Sequence, residues 1–310
     1  MNAKPLVLLT GGSGMVGRNI LEHPMAKFFS FLAPTSSDLD LRNSPKVFEY
    51  VASHAPEIVI HSAGLVGGIQ ANLSRPVDFL IENIDLGRNV ILAARNAGVK
   101  KLLNLSSSCM YPRNACNPLV ENMILKGELE PTNEGYALSK IFATRLCEYL
   151  HKEDETLQYK TLIPCNLYGR FDKFDPKHSH LIPAIIHKVY KAKVNNEKSV
   201  EIWGDGTARR EFMYASDLAD AVFKAITCYD QVPYIMNVGL GIDYSINEYY
   251  QTVARIVGWD GQFRHDLTKP VGMKQKLVSV GRQNSWGWQA PTSLEDGVAM
   301  TYDYYLKSIQ

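Results

Sequence analysis

The chain has 310 residues, of which 45% are hydrophobic and 21% are charged, and its formal net charge is +1. This composition is typical of a globular protein with room for one large domain or two smaller ones. The balanced charge gives no reason to expect a nucleic acid or an anionic membrane as a partner. No apolar run is long enough to span a bilayer. Five scattered cysteines without zinc spacing favour a reduced, cytoplasmic, metal-free protein.

The N-terminal segment predicts a turn that binds a nucleotide. Residues 5–10 form an apolar run that reads as a buried strand, and Gly11, Gly14 and Gly17 follow it in the spacing G-x-x-G-x-x-G. Glycines at these positions allow a tight turn and a close approach of the backbone to a pyrophosphate. The amides of the next helix would then face the phosphates. Because the first apolar run is this strand, we expect no signal peptide.

Strands and helices alternate along the first half of the chain. The predicted strands are 29–33, 57–61, 101–105 and 159–163, and the predicted helices are 84–97 and 136–151. This order predicts an α/β fold with a Rossmann-like, doubly wound parallel sheet. Ligands of such sheets bind at the carboxyl ends of the strands.

The regular alternation of strands and helices ends beyond Pro164. Residues 170–180 are polar and aromatic without periodicity, and a short strand is predicted at 199–203. A strand followed by a helix is predicted again at 213–226, where we expect the chain to return to the sheet. Residues 269–281 form a basic loop region. We therefore expect a smaller C-terminal lobe that is interleaved with the first domain. The expected division is 1–165 plus about 212–240 for the first domain, and about 166–211 plus 241–310 for the lobe.

Tyr136 and Lys140 lie one helical turn apart, at positions i and i+4 of a predicted helix. An ammonium beside a phenol stabilises the phenolate, so we expect a lowered pKa for Tyr136. Such a tyrosine can exchange a proton with a carbonyl oxygen while hydride moves at carbon. Chance pairs at this spacing are common, but this pair follows a nucleotide-binding turn. Together the two motifs resemble the extended short-chain dehydrogenase/reductase superfamily.

Further motifs narrow the resemblance. They are Ser-Ser-Cys at 107–109, Glu-Pro-Thr-Asn-Glu at 130–134, Asn-Leu-Tyr-Gly at 166–169, Ser-His-Leu-Ile-Pro-Ala at 179–184 and Trp-Gly-Asp-Gly at 203–206. This series resembles the GDP-L-fucose synthase family, from about residue 5 to about residue 305. The resemblance implies NADPH-dependent reduction and epimerisation of GDP-4-keto-6-deoxymannose.

The resemblance also implies roles for individual residues. The implied catalytic residues are Ser107, Cys109, Tyr136, Lys140 and His180. The implied contacts of the cofactor, NADP(H), are Thr10, Gly11, Gly14, Met15, Val16, Gly17, Ser36, Ala63, Gly64, Tyr136, Lys140, Pro164, Asn166, Leu167 and His180. The implied contacts of the GDP-sugar substrate are Ser108, Asn166, Lys188, Trp203, Arg210 and Lys276. The other four cysteines are expected to be packing residues.

The chemistry of a 4-keto sugar suits these residues. The C–H bonds at C3 and C5 are acidified because the enolate spreads its charge onto O4, where Ser107 and Tyr136 can stabilise it. Inversion needs one group that removes a proton and another that returns it on the opposite face. A thiol and an imidazole both titrate near neutral pH, so Cys109 and His180 suit this task. Hydride from the nicotinamide would then reduce C4.

Some positions depart from the family pattern and leave alternatives open. Ser13 and residues 34–37 replace the basic residues that commonly hold the 2′-phosphate, but no acid ends the second strand, so NADP remains favoured. His187 precedes Lys188 where relatives carry arginine, and His178 is an additional histidine. One alternative is a C4 reductase that acts on a GDP-4-keto heptose. Another is a non-catalytic NADP-binding regulator. The helices 84–97 and 136–151 predict a homodimer.

Overall fold

The computed structural model describes residues 4–175, 179–269 and 272–309. The strands are β1 (Leu6–Thr10), β2 (Ser30–Leu32), β3 (Ile58–His61), β4 (Lys101–Leu105), β5 (Gln158–Pro164), β6 (Asn166–Tyr168), β7 (Ser199–Trp203), β8 (Arg209–Arg210), β9 (Phe212–Tyr214), β10 (Ile235–Val238), β11 (Tyr244–Ser245), β12 (Gln262–Asp266) and β13 (Gln275–Lys276). The helices are α1 (Met15–Leu21), α2 (Ser44–His54), α3 (Ile69–Ser74), α4 (Pro76–Asn96), α5 (Glu134–Glu153), α6 (Leu181–Val194), α7 (Ala215–Thr227), α8 (Ile246–Val257), α9 (Gly281–Ser285) and α10 (Leu294–Ser308). No helix within these ranges is both long and apolar enough to cross a membrane.

The central sheet has six parallel strands in the order β2-β1-β3-β4-β5-β10. The strand order reverses between β1 and β3, and such a reversal opens a crevice at the carboxyl ends of the two strands. The glycine turn after β1 and the loop after β3 both begin there. The predicted Rossmann-like fold class is therefore confirmed.

Side-chain alternation divides the packing of β1 between two faces of the sheet. Val7 and Leu9 belong to one buried apolar cluster, and Leu8 belongs to another. The first cluster includes side chains of α1 and α7, and the second includes side chains of α2, α4 and α5. Because helices cover both faces, every residue in the middle of the strand is apolar. The sheet is thus doubly wound, as predicted.

Five of the six strands of the central sheet were predicted to within one residue at each end. The sixth, β10, was not predicted, and the strand predicted at 213 pairs with β6 outside this sheet. One helix was also underestimated. α4 begins at Pro76, eight residues before its predicted start. Proline is favoured in the first helical turn because its missing N–H has no partner there. The first turns of α4 mix exposed apolar side chains, Val77 and Ile81, with the buried Phe79, so no clear amphipathic pattern marks this start in the sequence.

The remaining strands form three small sheets outside the central one. These are the pair β6–β9, the pair β7–β12 and the three-stranded sheet β11-β8-β13. Helices α6, α8 and α10 pack around a separate core that includes Ile186, Val200 and Tyr249. The chain enters this region after β5 and returns to the central sheet at β10. Strand β13 pairs with β8 close to the carboxyl edge of the sheet.

Candidate active site

The glycine turn is packed so tightly that Gly11 and Gly17 could not be replaced by a residue with a side chain. Gly11 has φ +74°, and a Cβ atom there would lie 2.7 Å from the Ala63 nitrogen. A Cβ atom at Gly17 would lie 2.2 Å from the Gly11 carbonyl oxygen. Gly14 caps α1 without a side-chain hydrogen bond, so the first amides of the helix, which include those of Met15 and Val16, remain available to a ligand. These residues fit the phosphates of a dinucleotide.

The opposite wall of the crevice is held by buried polar side chains. The Thr10 hydroxyl is 2.8 Å from His61 Nδ1, and the Ala63 N–H donates to the same hydroxyl at 3.4 Å. Asn83 Oδ1 accepts from the Leu65 N–H at 2.8 Å and so fixes the loop that contains Gly64. Neither His61 nor Asn83 was predicted from the sequence to line this site. The only signal for His61 was its position at the end of a buried strand.

The loop after β2 contains an acid that the sequence analysis did not weigh. Asp38 lies six residues beyond the end of β2 and accepts hydrogen bonds from the Thr35 N–H and hydroxyl, at 3.0 and 2.7 Å. These bonds hold the pKa of Asp38 below its usual value. Ser36 is exposed between the two residues. The Thr35 hydroxyl is therefore engaged by Asp38, and Ser36 presents its own hydroxyl at the surface of the loop.

Ser107, Ser108 and Cys109 follow β4 in a tight turn. Residues Ser108–Met110 form a 3₁₀ helix, and the Ser107 hydroxyl accepts from the Cys109 N–H at 3.3 Å. Ser108 and Cys109 are buried. Burial raises the pKa of the Cys109 thiol, and the ammonium groups of Lys276 and Lys140 act in the opposite direction. The thiol is therefore the favoured form of Cys109 at neutral pH.

Tyr136 and Lys140 face the turn that carries Cys109. Lys140 Nζ donates to the Leu105 carbonyl at 3.3 Å and lies 5.6 Å from the centre of the Tyr136 ring. Burial lowers the pKa of Lys140 to about 8. Burial also raises the pKa of Tyr136, and Cys109 adds to this effect, whereas a hydrogen bond with Ser107 opposes it.

The prediction of a lowered pKa for Tyr136 is therefore wrong. Lys140 directs its ammonium to a main-chain carbonyl, and desolvation of the phenol, to which Cys109 adds, raises the pKa of Tyr136. Tyr136 is thus a protonated group that can donate, rather than a phenolate.

His180 stands immediately before α6, on the other side of the loop that follows β3. Burial lowers the pKa of His180, and Lys173 lowers it further, so the neutral imidazole is favoured. The Ser179 carbonyl oxygen lies 4.0 Å from the position of a Cβ atom on Gly68, so the two segments meet. The additional histidine, His178, lies outside the described residues.

The segment after β5 passes along the same edge of the sheet. Pro164 ends β5, and Asn166 and Leu167 begin β6, which pairs with β9. Asn166 Nδ2 donates to the Glu211 carbonyl at 2.9 Å. This contact connects the carboxyl end of the central sheet with the strands that carry Arg210.

Two cations lie side by side on the small sheet. Lys276 of β13 is the register partner of Arg210 in β8, and burial lowers the pKa of both side chains. Arg209 has a different environment, because its guanidinium binds Asp243 at 2.7 Å and Glu248 at 3.4 Å. These ion pairs engage Arg209, and the substrate contact at Arg210 that the family resemblance implies stays a prediction.

Lys188 and Trp203 come together at Glu201. Lys188 Nζ donates to the Glu201 carbonyl, and Trp203 Nε1 donates to its carboxylate at 3.0 Å. The Trp203 side chain is 52% exposed. These contacts hold both side chains against β7.

The other cysteines differ in their environments. Cys147 and Cys165 are buried, as expected of packing residues, and Cys228 is partly buried. Cys116 is exposed, so its expected role in packing is wrong. It lies in an irregular segment between β4 and α5, where residues 113–118 alternate between half-buried and exposed.

The sheet reversal, the glycine turn and the cluster of Ser107, Tyr136 and Lys140 define a nucleotide-dependent oxidoreductase. Comparison with known proteins gives its family. The chain belongs to the NAD dependent epimerase/dehydratase family, whose model matches residues 7–239.

Relatives over the full length refine this assignment. The chain is 51% identical over 300 residues to GDP-L-colitose synthase of Yersinia pseudotuberculosis, with 97% of each chain covered. It is 49% identical over 300 residues to GDP-L-fucose synthase of Azorhizobium caulinodans, with 97% and 96% covered. A solved structure of GDP-mannoheptose C4 reductase from Campylobacter jejuni with NADP bound matches with a TM-score of 0.90 and 31% identity, and 99% of each chain is covered.

These matches confirm the predicted resemblance to GDP-L-fucose synthases and show that the chain is an enzyme. The predicted NADP(H) cofactor is supported by the family and by a related structure that holds NADP.

Proposed function

We propose that the chain reduces the 4-keto group of a GDP-linked 6-deoxy sugar with NADPH and epimerises the carbons next to that group. The observation that carries the proposal is the cluster in which the Ser107–Cys109 turn faces Tyr136 and Lys140. This cluster combines the residues of a reductase with a buried thiol. The full-length similarity to synthases of GDP-fucose and GDP-colitose supports the substrate class.

In the reductive step, the nicotinamide supplies hydride to C4 when it is bound. Tyr136 donates its proton to O4, because burial keeps the phenol protonated at neutral pH. Ser107 donates a hydrogen bond to O4 and stabilises the negative charge that develops there. Lys140, whose pKa is about 8, is still charged at neutral pH and favours the phenolate that remains.

In the epimerising step, His180 and Cys109 act as base and acid. The neutral imidazole of His180 takes a proton from a carbon next to the ketone, and the electrons of that C–H bond move to O4 as an enolate. The Cys109 thiol then gives its proton to the opposite face of the same carbon. Solvent returns a proton to the thiolate and removes one from the imidazolium. Burial favours the neutral imidazole of His180 and the neutral thiol of Cys109, the forms in which this step begins.

The substrate lies, in this proposal, between the first domain and the lobe. Residues 1–165 with about 212–240 hold the cofactor, and about 166–211 with 241–310 hold most of the nucleotide sugar. The GDP diphosphate binds Arg210 and Lys276, since two neighbouring cations suit a ligand with two phosphates. Asn166 and Ser108 approach the sugar, and Trp203 and Lys188 bind the nucleotide end.

We propose NADPH rather than NADH as the preferred reductant. Ser36 is exposed in the loop after β2, and the nearby Asp38 carboxylate is occupied by two bonds from Thr35. The Ser36 hydroxyl can donate to a 2′-phosphate, and the related heptose reductase structure that holds NADP supports this choice. Measurement of kcat/KM for both cofactors tests this point, and a preference for NADH would contradict it.

Two other sugars are candidates for the substrate. Colitose is the 3-deoxy counterpart of fucose, so a substrate of that type would be epimerised only at C5, and the 51% identity to a colitose synthase favours it. A GDP-4-keto heptose that is only reduced at C4 is favoured by the related heptose reductase.

The test is incubation with GDP-4-keto-6-deoxymannose and NADPH in D₂O, followed by mass spectrometry and NMR of the product. We expect a reduced sugar with deuterium at C3 and C5. Deuterium at C5 alone, with better turnover of the 3-deoxy substrate, would indicate a colitose synthase. Consumption of NADPH without deuterium at C3 or C5 would indicate a C4 reductase. Binding of NADPH without consumption, on all of these substrates, would indicate a regulator.

Two substitutions separate the proposed roles in epimerisation. His180→Asn should abolish deuterium incorporation but retain reduction, because it removes the base. Cys109→Ser should allow exchange on the His180 face without inversion, because it removes the acid of the opposite face. The control is Cys147→Ser, because Cys147 is equally buried but packs in the cluster on the far side of the sheet. Formation of the inverted sugar by the Cys109→Ser enzyme at the wild-type rate would remove Cys109 from the mechanism.

A further inference from the structure

Residues 275–279 form a strap that carries Lys276 and is hydrogen-bonded along both of its edges. On one edge, β13 pairs with β8. On the other edge, the Leu119 N–H donates to the Leu277 carbonyl, and the Ser279 N–H donates to the Leu119 carbonyl, both at 2.8 Å. The strap therefore joins the lobe to the segment that follows the catalytic turn of Cys109.

Asn117 holds the backbone of the strap on either side of Lys276. Its Oδ1 accepts from the Leu277 N–H at 2.7 Å, and its Nδ2 donates to the Gln275 carbonyl at 3.4 Å. A carboxamide that uses both its donor and its acceptor on one short stretch of backbone restricts the direction of the side chain between the two contacts. Lys276 is that side chain.

A second side chain holds the same strap from the lobe. Glu211 is buried, and its Oε2 accepts from the Val278 N–H at 2.8 Å. Its Oε1 accepts from the N–H groups of Leu240 and Gly241, at 2.7 and 2.9 Å. The strap is thus fixed before and after Lys276 by two polar side chains from different parts of the fold.

The charged and titratable groups around the Cys109 thiol come from two elements. They are Lys276 on the strap and Tyr136 and Lys140 on α5. Lys276 in turn faces Cys109, Cys165, Arg210 and Glu211. Among the groups that favour a thiolate at Cys109, Lys276 has the largest effect, whereas Lys140 is also bonded to the Leu105 carbonyl. The position of Lys276 therefore matters for proton transfer by Cys109.

We propose that Asn117 is a positioning residue, which fixes the strap so that the Lys276 ammonium stabilises the thiolate left when Cys109 gives up its proton. The inference rests on the proposed function for the use that the enzyme makes of this thiol. The electrostatic coupling itself exists without substrate, because both anchors of the strap are part of the folded chain.

The coupling is tested by alkylation of the full-length protein with iodoacetamide across a range of pH, with modification of Cys109 followed by peptide mass spectrometry. We expect Lys276→Met and Asn117→Ala to slow alkylation of Cys109 at neutral pH by about tenfold, the equivalent of one lost charge contact. The pH dependence of alkylation should move to higher pH. Lys276→Arg keeps the positive charge and should retain the wild-type profile.

The matched control is Asn89→Ala. Asn89 is a buried carboxamide that donates to the Leu41 and Arg42 carbonyls, at 2.8 and 3.2 Å, far from the strap. Its loss should leave the alkylation profile of Cys109 unchanged. An equal effect of Asn89→Ala would overturn the proposal, since it would indicate general loosening of the fold.

Two further outcomes are decisive. A wild-type profile for Asn117→Ala would mean that Asn117 does not position Lys276. If that variant does not fold, an unchanged profile for Lys276→Met overturns the proposal by itself. Alkylation needs no turnover, so a wild-type enzyme that incorporates no deuterium would refute the proposed epimerisation and leave this result intact.

Discussion

At the scale of single residues, burial controls the protonation of the candidate catalytic groups. Tyr136 is half-buried and Lys140 is buried, and the loss of water disfavours the charged form of each. The same effect keeps Cys109 as a thiol and His180 as a neutral imidazole. The group therefore contains two proton donors and one acceptor at neutral pH, which suits protonation of O4 and of carbon.

Tyr136→Phe removes the proposed donor without changing the ring. We expect C4 reduction to fall by roughly 10²- to 10⁴-fold, because no other side chain would supply the proton to O4. The affinity for NADPH should change little. Stopped-flow measurement of NADPH oxidation and titration of NADPH binding check both parts. Unchanged turnover would remove Tyr136 from the mechanism.

Lys140→Met should change how stability depends on pH. Below about pH 8 the folded wild-type protein holds a buried ammonium, which is unfavourable. Between that pH and the usual lysine pKa of about 10.4, the folded state has lost this proton while the unfolded state keeps it, so stability rises with pH. Over this pH range the free energy of unfolding should rise by an amount on the order of 3 kcal/mol.

This pH dependence is measured by urea unfolding of both proteins between about pH 7.5 and pH 10. The wild-type protein should gain stability relative to Lys140→Met as the pH rises. Parallel curves for the two proteins would mean that the folded state does not lower the pKa of Lys140.

At the scale of elements, the glycine turn depends on contact between backbones. The start of α1 packs against the turn that precedes it, and the turn packs against the loop after β3. The crevice between β1 and β3 stays narrow for this reason, and the helix amides lie where a pyrophosphate can reach them.

Gly17→Ala should disrupt this element. The new Cβ atom would lie 2.2 Å from the Gly11 oxygen, so the backbone must shift. We expect a loss of about 1–3 kcal/mol in unfolding free energy and a clear loss of NADPH affinity. The control is Gly281→Ala, whose Cβ atom would have its nearest neighbour at 3.7 Å. Wild-type NADPH affinity in Gly17→Ala would contradict the assigned role of the turn.

At the scale of the whole molecule, α4 and α5 form a paired layer with apolar groups on its outer side. The two helices pack closely at Gly87, where a Cβ atom would be 3.3 Å from that of Ala143. Val77 and Ile81 on α4 are 68% and 49% exposed, and Leu138 and Tyr149 on α5 are 40% and 57% exposed. Exposed apolar residues at helical spacing are typical of a surface that pairs with another helix.

We therefore expect a homodimer through this layer, with about twice the 34.7 kDa mass of the chain in sedimentation at micromolar concentration. Ile81→Asp should shift the protein toward the monomer, because a charge would be buried in the interface. Val194→Asp is the control, since Val194 is 56% exposed at the end of α6. A monomeric wild-type protein would contradict the prediction.

The sequence predicted the central sheet well because its strands are covered on both faces. A strand such as β3 is apolar from Ile58 to Ile60, and that pattern needs no knowledge of its neighbours. The start of α4 was missed because its first turns mix exposed and buried apolar residues, which hides the amphipathic pattern. Strands of two residues, such as β8 and β13, have no local signal and exist only because the other strand is present.

The sequence by itself determined the glycine turn, the spacing of Tyr136 and Lys140 and the motif that contains Cys109, since each is written within a few consecutive residues. Only the tertiary structure decided their protonation, because desolvation depends on which residues cover a group. It also decided the partners of Asn83, Asn117 and Glu211. Glu211 reaches Val278 across 67 residues of chain, and Asn117 reaches Leu277 across 160. No local pattern encodes a contact between segments that only the folded sheet brings together.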